Sequence, residues 1–381
     1  MAQLPSLPLA LALAAALAGC SRQPAPATAP AAPAPAEATA PASAPATDAA
    51  PTAGDAGPVL GPQRVTALGT GPDGSPLPPM DEAHAPVPAP DHPANDPATR
   101  AGTDGTLRAQ VLLLRQHFST GEIDGKAGMN VEKAIRAFQA QRGLAVTGKL
   151  DDATWAELDK DQAPVLVRYT LTQDDIDGPY APTPARLEDK AKMERIVYQD
   201  LLEMLGERYN ATPELLKALN PDADFSTAGT VLVVPYTRPA QELPKAARLV
   251  VDKSDGALQL LDADGKVYAQ FPASSGSSRF PLPIGEWKLV SVVQDPVYRY
   301  DPDLLVGQPK DAKPATLPPG PNGPVGIVWM GIDKPHYGIH GTPEPGKIGR
   351  TQSSGCVRLT NFAAQAVATA VAPGTPVTFR E

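Results

Sequence analysis

His340-Gly341-Thr342 and the later stretch Thr351-Gln352-Ser353-Ser354-Gly355-Cys356-Val357-Arg358-Leu359-Thr360-Asn361 decide the architecture of the C-terminal part of this chain. Cys356 is one of two cysteines, and the other, Cys20, lies near the N-terminus. A thiol attacks as its thiolate, and because its ordinary pKa is about 8.5 it needs a base or a cation close by. His340 is the candidate base and Arg358 the candidate cation. The pattern indicates an activated nucleophile.

Two other interpretations of these residues were weighed. A single cysteine is most often a small buried apolar side chain, which composition alone leaves open for Cys356. His336 and His340 are four residues apart and would share a helix face suited to a metal ion. Pro335 and Gly338 argue against a helix there, and no Glu follows the first histidine as in a His-Glu-x-x-His site. We therefore predict neither a metal nor a cofactor.

The stretch resembles the L,D-transpeptidases of the YkuD family, cysteine enzymes that cross-link or decorate peptidoglycan. The residues that match the family pattern are His340, Gly341, Ser353, Gly355, Cys356, Val357, Arg358 and Asn361. Ser354 stands where the family usually has a second histidine, which affects substrate positioning more than activation of the nucleophile. The resemblance covers residues 246–381. It implies a mainly β sandwich with the nucleophile in a loop before a helix.

The resemblance also implies a reaction. The Cys356 thiolate would attack the L-centre carbonyl of a diaminopimelate–D-Ala bond in a stem tetrapeptide, with His340 as base, and D-Ala would leave. An amine would then take the acyl group, which gives a 3→3 cross-link or attachment of an envelope protein, whereas water would give carboxypeptidase activity. The residues expected at the substrate or the oxyanion are Gly355, Ser353, Ser354, Arg358, Gly341, His336, Tyr337 and Asn361. A salt bridge inside the fold is the alternative for Arg358, and core packing the alternative for Tyr337.

Local patterns support a β-rich C-terminal part. Asp255-Gly256 and Asp264-Gly265 lie between apolar runs and predict two hairpins. A helix is predicted after Asn361, which we expect as its N-cap, and a closing strand at residues 377–379. The stretch from residues 317–321 through residues 335–340 resembles the family's substrate-facing loop.

The N-terminus is typical of an exported lipoprotein. Residues 7–18 form an apolar run too short to span a bilayer, and Leu17-Ala18-Gly19-Cys20 resembles a bacterial lipobox. We expect residues 1–19 to be a signal peptide, Cys20 to be lipidated, and Ser21 to favour the outer membrane, which places the protein in the periplasm. An ordinary signal peptide with an incidental cysteine is the alternative. The leading residues carry no Lys or Arg, which leaves the true start codon open.

Residues 20–103 are predicted to be a disordered tether. Residues 21–100 contain 19 prolines among many alanines, a composition that cannot bury a core. Such a segment reaches roughly 50 Å as a coil and up to ~250 Å as polyproline II. It would lift the folded domains from a membrane toward the cell wall.

Two small modules are predicted between the tether and the C-terminal domain. Residues 104–160 resemble a three-helix peptidoglycan-binding domain, with Asp151 as the cap of the last helix; a generic helical bundle is the alternative. Residues 165–237 predict a strand, two helices and a strand, with Thr212 as N-cap and an insertion around residues 177–197. This order resembles a LysM module, and a spacer without a binding role is the alternative.

The sequence as a whole predicts a multidomain envelope protein. Its partners would be peptidoglycan stem peptides and glycan, the membrane through the lipid anchor, and an envelope protein as a further acceptor. The net charge of −9 argues against nucleic acid as a partner. A membrane-to-wall tether without catalysis remains the alternative from another functional class, because of Ser354.

Overall fold

The structure is a computed structural model that describes residues 87–89, 91–239, 241–277, 280–302, 313–351 and 355–381. The predicted signal peptide, Cys20 and most of the predicted tether lie outside these residues, as do Ser353 and Ser354. Within the described ranges, no helix is both long and apolar enough to cross a membrane.

The predicted three-helix domain is present. Asp151 caps the last helix as predicted, because its side chain accepts a hydrogen bond from the Thr154 backbone N–H at 2.9 Å. Phe138 and Trp155 are buried in its core. The helices are α1 (Gly102–Arg115), α2 (Met129–Arg142) and α3 (Asp152–Leu158).

The C-terminal end of the predicted tether is ordered, which corrects that prediction. Strand β1 (Val87–Pro88) pairs antiparallel with β2 (Leu166–Thr170), and helix α1 begins before residue 104. The amide of Asn95 explains the order, since Nδ2 donates to Ala89 O at 2.7 Å and Oδ1 accepts from Leu166 N–H at 2.9 Å. One asparagine therefore fastens the end of a Pro-rich segment to a strand edge.

The second module has the predicted order of strand, helices and strand. Strands β1, β2 and β3 (Val231–Pro235) form one sheet in that order, with β2 and β3 antiparallel. Thr212 caps its helix as predicted and accepts from the Leu215 N–H at 3.2 Å. A buried ion pair joins Arg208 to Asp175 at 2.8 Å. The helices are α4 (Gln173–Asp177), α5 (Leu187–Lys190), α6 (Leu201–Arg208) and α7 (Pro213–Leu219).

The C-terminal domain is mainly β, as predicted. Its strands are β4 (Arg248–Asp252), β5 (Ala257–Leu261), β6 (Val267–Pro272), β7 (Gly285–Gln294), β8 (Tyr298–Tyr300), β9 (Ala315–Leu317), β10 (Val328–Ile332), β11 (Gly338–His340), β12 (Val357–Arg358) and β13 (Pro376–Arg380). The antiparallel pairs β4–β5 and β5–β6 confirm both Asp-Gly hairpins. Strands β8 and β9 form a separate pair.

Eight strands form one hydrogen-bonded sheet rather than the two separate sheets of a sandwich. Their order is β12-β11-β10-β7-β13-β4-β5-β6. Strand β7 is ten residues long and pairs with β13 through its first half and with β10 through its second. The two ends of the sheet meet, because Ser274, just beyond β6, bridges Arg358 of β12. The sheet thus closes around one apolar core.

Helix α8 (Asn361–Ala370) follows the cysteine loop, but its N-cap differs from the prediction. Thr360 is the cap, since its hydroxyl accepts from the Ala363 N–H at 3.0 Å. Asn361 is the first helical residue, and its amide is used in contacts with other parts of the chain. The prediction of Asn361 as N-cap was wrong because an earlier Thr offered the same chemistry.

The N-terminal modules contact the C-terminal domain through several hydrogen bonds, among them those of an edge contact and a loop contact. At the edge contact, His117 and Ser119 exchange backbone hydrogen bonds with Gln270 of β6 at 2.9 Å each, and Lys133 Nζ donates to Asp255 O at 2.6 Å. This covers an edge strand that would otherwise expose unpaired backbone groups.

The loop contact joins the second module to Asp295, to residues 319–322 and to Asn361 of α8, whose amide bonds Glu207 of α6. The backbone of Ile196, in the insertion of the second module, bonds to Pro319 O at 2.9 Å and to Asn322 N–H at 3.2 Å. Arg195 makes a two-pronged ion pair with Asp295. The insertion of the second module therefore covers part of the loop that is expected to face the substrate, at residues 319–322.

Candidate active site

The register of two short parallel strands places the predicted nucleophile and base near each other. Strand β11 pairs with β12 so that Ile339 lies beside Val357 and His340 beside Arg358. Because side chains alternate along a strand, Arg358 and Cys356 share the face of His340. The Gly338 backbone N–H bonds the Cys356 sulfur, which fixes the thiol next to β11. The structure thus brings together the residues that the sequence singled out.

His340 is buried and held in one tautomer. Its Nδ1–H donates to Gly341 O at 2.6 Å, since a carbonyl only accepts, and this leaves Nε2 as the acceptor. The ring stacks on Trp329 with a centroid distance of 5.5 Å and an interplanar angle of 19°. The pKa of His340 is lowered to about 4, mainly by burial and also by the charge of Arg358, while the Gly341 hydrogen bond acts in the opposite direction. The imidazole is neutral near pH 7.

Cys356 is half-buried and rests as a thiol. Burial raises the pKa of Cys356, while the Gly338 N–H and the charge of Arg358 act in the opposite direction. The Sγ–H points toward the carbonyl of His336, with 3.7 Å between the sulfur and the oxygen. With the thiol pKa raised and the histidine pKa lowered, the resting state is a neutral pair rather than a thiolate–imidazolium pair.

Glycine is required immediately before the cysteine. Gly355 has φ +108°, in the region that side chains disfavour, and a Cβ there would lie 3.1 Å from the Tyr337 ring. The turn into β12 therefore depends on this residue. Its backbone conformation also sets the direction in which the chain enters Cys356.

Two backbone hydrogen bonds fix the position of Arg358. Its N–H donates to Ser274 O at 2.8 Å and its carbonyl accepts from Ser274 N–H at 3.0 Å, where the ends of the sheet meet. Its positive charge lowers the pKa values of both His340 and Cys356. Arg358 therefore acts on the reactive pair electrostatically from the neighbouring strand position.

Other predicted site residues lie around the pair in different environments. His336 is exposed with φ +67°, in a turn before β11, so that His336 and His340 do not share a helix face. The half-buried Tyr337 has Lys334 Nζ 5.2 Å from its ring centroid. Gly341 and Asn361 are buried, and the amide of Asn361 bonds to protein groups instead of opening to a substrate.

Two residues near the site were missed by the sequence analysis. Tyr298 on β8 lies within electrostatic reach of Cys356, and burial together with that neighbour raises its pKa. Glu207 on α6 accepts two hydrogen bonds from Asn361. The alternation Tyr298-Arg299-Tyr300 gave a signal for a strand with one buried face, but nothing in the sequence marked Glu207. Among the described residues, no three His, Cys, Asp or Glu side chains are grouped to hold a metal ion.

Comparison with known proteins gives two domain matches. Residues 246–379 match the YkuD family, described as the L,D-transpeptidase catalytic domain, and residues 104–158 match a peptidoglycan-binding domain. A YkuD protein of Bacillus licheniformis, named as an L,D-transpeptidase, is 27% identical over 180 residues, which are 47% of this chain and 92% of that protein. The protein of the same name from Bacillus subtilis is 26% identical over 180 residues, 47% of this chain and 93% of that protein.

Solved structures of L,D-transpeptidases are also similar to the chain. The enzyme from Xylanimonas cellulosilytica is 16% identical, covers 72% of this chain and 92% of its own, and superposes with a TM-score of 0.32. The domain assignments rest on the sequence matches. The chain carries a peptidoglycan-binding domain followed by a YkuD-family catalytic domain, and the protein is a peptidoglycan L,D-transpeptidase of the cell envelope.

Proposed function

We propose that Cys356 is the nucleophile and His340 the base of an acyl transfer from a stem tetrapeptide. The observation that carries this proposal is the fixed tautomer of His340, with Nε2 left to accept a proton on the strand beside Cys356. A neutral imidazole can take a proton from a neutral thiol as the sulfur attacks. This pairing favours proton transfer from the thiol to His340 during attack over a resting thiolate–imidazolium pair.

The first half of the reaction forms a thioester. The Cys356 sulfur attacks the L-centre carbonyl of diaminopimelate as Nε2 of His340 takes the thiol proton. The backbone N–H groups of Gly355 and Cys356 are proposed as donors to the developing oxyanion, and such donors are typically worth about 2.7–4 kcal/mol each. The C–N bond then breaks, and His340 gives its proton to the amine of the departing D-Ala.

The second half transfers the acyl group. The acceptor amine attacks the thioester, loses a proton to His340, and the Cys356 sulfur leaves and regains that proton. A second stem peptide gives a 3→3 cross-link, and an envelope protein gives a wall-attached protein. Water in place of the amine gives carboxypeptidase activity with the same two residues. Arg358, His336 and Tyr337 are proposed to hold the stem peptide, with Ser353 and Ser354 as polar contacts before the nucleophile.

The N-terminal parts are proposed to keep the catalytic domain at the wall. Lipidation of Cys20 would anchor the chain to the outer membrane, facing the periplasm, and the Pro-rich tether would span the distance. The second module is proposed to bind glycan as a LysM-like module. Its antiparallel strands with helices between them support this, as does its place after the peptidoglycan-binding domain.

The test uses the full-length protein with purified disaccharide-tetrapeptide, beside Cys356→Ala. We expect release of D-Ala and an acyl adduct on the intact protein, both absent from the variant. Cross-linked dimer as the main product indicates transfer, and free tripeptide indicates hydrolysis. Adduct and release that persist in Cys356→Ala would overturn the assignment of the nucleophile. Wild type that binds sacculi but forms neither adduct nor product would favour the tethering role instead.

A further inference from the structure

Asn361 is the point at which the second module reaches the backbone beside His340. The residue is 1% exposed. Its Nδ2 donates to Oε1 and Oε2 of Glu207 at 2.9 Å each and to Pro321 O at 3.2 Å. Its Oδ1 accepts from the Ile327 N–H at 3.3 Å. One amide therefore joins helix α6 to the loop before β10 and to the start of α8.

The same amide lies against the backbone of Gly341. A Cβ built on Gly341 would be 2.1 Å from Oδ1 of Asn361, and one built on Gly326 would be 1.9 Å from it, where real Cβ contacts do not fall below 3.0 Å. The peptide at Gly341 is thus packed directly on the amide. Its carbonyl is the group that accepts Nδ1–H of His340.

We propose that Glu207 is a positioning residue for His340, acting through Asn361 and the carbonyl of Gly341. Without the carboxyl, Nδ2 of Asn361 loses two acceptors, and the amide is no longer held in the orientation that supports Gly341. His340 then loses the fixed partner that selects its tautomer, and a misplaced base slows proton transfer. The inference rests on the proposed function, because it requires His340 to be the base.

Glu207 lies outside residues 246–379, which match the catalytic family. It belongs to helix α6 of the second module. The second module therefore helps to hold the catalytic base in position, whether or not it binds glycan. It also explains why a carboxyl is enclosed at a contact between two domains.

The surroundings of Glu207 agree with an enclosed, hydrogen-bonded carboxyl. The pKa of Glu207 is raised to about 8, mainly by burial and also by the charges of Glu203 and Glu122, while hydrogen bonds from Asn361 and Tyr198 act in the opposite direction. A carboxyl accepts hydrogen bonds from an amide in its protonated and its ionised form. The contact with Asn361 therefore persists across neutral pH.

Glu203 provides a matched control on the same helix. Its carboxyl accepts from Nδ2 of Asn322 at 3.0 Å, so that it too joins α6 to the catalytic domain, but at an asparagine that does not support Gly341. In the full-length protein we expect Glu207→Ala to lower kcat on the order of tenfold to a hundredfold, with KM within about twofold. The acidic limb of its pH–rate profile shifts because His340 titrates differently. Glu203→Ala keeps both quantities; equal changes in the two variants overturn the proposal.

A second variant and a double variant distinguish the proposed effect on kcat from simple unfolding. Glu207→Gln keeps one acceptor for Asn361 and is expected to lose less kcat than Glu207→Ala. In an Asn361→Ala background, Glu207→Gln has no further effect on kcat, since the amide through which it acts is gone. Independent, multiplying losses contradict the proposal. Activity that survives in Cys356→Ala would instead refute the proposed chemistry and leave the Glu207 result to stand alone.

Discussion

The edge contact and the loop contact hold the catalytic domain by different chemistry. At the edge contact, two backbone hydrogen bonds join His117 and Ser119 to Gln270, and the side chains of Lys133 and Gln270 each donate one more to a backbone carbonyl. At the loop contact, Ile196 also makes two backbone hydrogen bonds, but charged side chains of the second module, Glu207 and Arg195, reach individual side chains of the catalytic domain. Backbone pairing tolerates changes of side chain, whereas a side-chain contact beside His340 does not. Mutations at the two contacts should therefore separate the docking of the N-terminal modules from catalysis.

Asn361→Ala should have the largest effect, because it removes the centre of the loop contact. Kcat should fall on the order of a hundredfold, since the support of Gly341 and the hydrogen bonds to Glu207 are lost together. The Ile327 N–H also loses its acceptor, and a buried group left unsatisfied costs about 1–3 kcal/mol. Steady-state kinetics and thermal unfolding measure the two losses.

Asn322→Ala is the control for that variant. Asn322 is also buried and also bonds a carboxyl of α6, so that its loss should lower Tm while kcat stays within about threefold. If both asparagines prove equally important for kcat, the loop contact acts on catalysis as a whole and not through Gly341.

Most residues of these two contacts could not be predicted from the sequence. The sequence correctly predicted a hairpin at Asp255-Gly256 and helix caps at Asp151 and Thr212, because those signals act within a few residues. The resemblance around Cys356 likewise named His340 as the base, and the structure has His340 on the strand that pairs with β12. Glu207 and Asn361 are 154 residues apart, and neither residue type is unusual for its helix. Which surface of one module meets another depends on shapes that no local pattern encodes.

The pH dependence of stability should reveal the two carboxyls whose pKa values are raised. Burial raises the pKa of Glu207 from 4.5 to about 8 and that of Glu122 to about 7, so the folded state holds protons that the unfolded chain has released. Their contribution to stability therefore falls as pH rises through this window. Burial lowers the pKa values of His340 and His117 to about 4, so their contribution rises with pH but is complete above about 6.5.

Between pH 6.5 and 8, only the carboxyls of this set change their contribution. We expect the Tm of the wild type to decrease over that range, and Glu207→Gln to show a smaller decrease, as measured by thermal unfolding at closely spaced pH values. Identical slopes for the two proteins would mean that Glu207 is ionised in the folded state. The edge contact contains no such carboxyl pair and should not contribute to the slope.

Arg195 and Asp295 test the part of the loop contact that is farther from Asn361. Arg195 Nη2 lies 2.7 Å from Asp295 Oδ1, and Asp295 has φ +52° in the turn that leads to Tyr298 on β8. A double-mutant cycle with Ala at both positions should give a coupling of about 1 kcal/mol, because the pair is only half-buried. Kcat/KM should fall by a few-fold, since the turn places Tyr298 near Cys356.

Single Arg195→Ala and Asp295→Ala variants supply the controls within that cycle. Each should lower Tm, and the second substitution should add little once the first is present. Full additivity of the two losses would show that the ion pair does not link the insertion to the turn.

Lys133→Ala should have the smallest effect, because it removes one side-chain hydrogen bond and leaves the backbone pairing of His117 and Ser119 with Gln270 in place. Lys133 Nζ donates to Asp255 O from a solvent-accessible position, and such surface changes are usually worth within about 0.5 kcal/mol. Kcat should equal that of the wild type, and urea unfolding should differ little from Lys149→Ala, a substitution of an exposed lysine in the same domain. A clear loss of kcat in Lys133→Ala alone would break the comparison, since the edge contact would then reach the chemistry at Cys356 as the loop contact does.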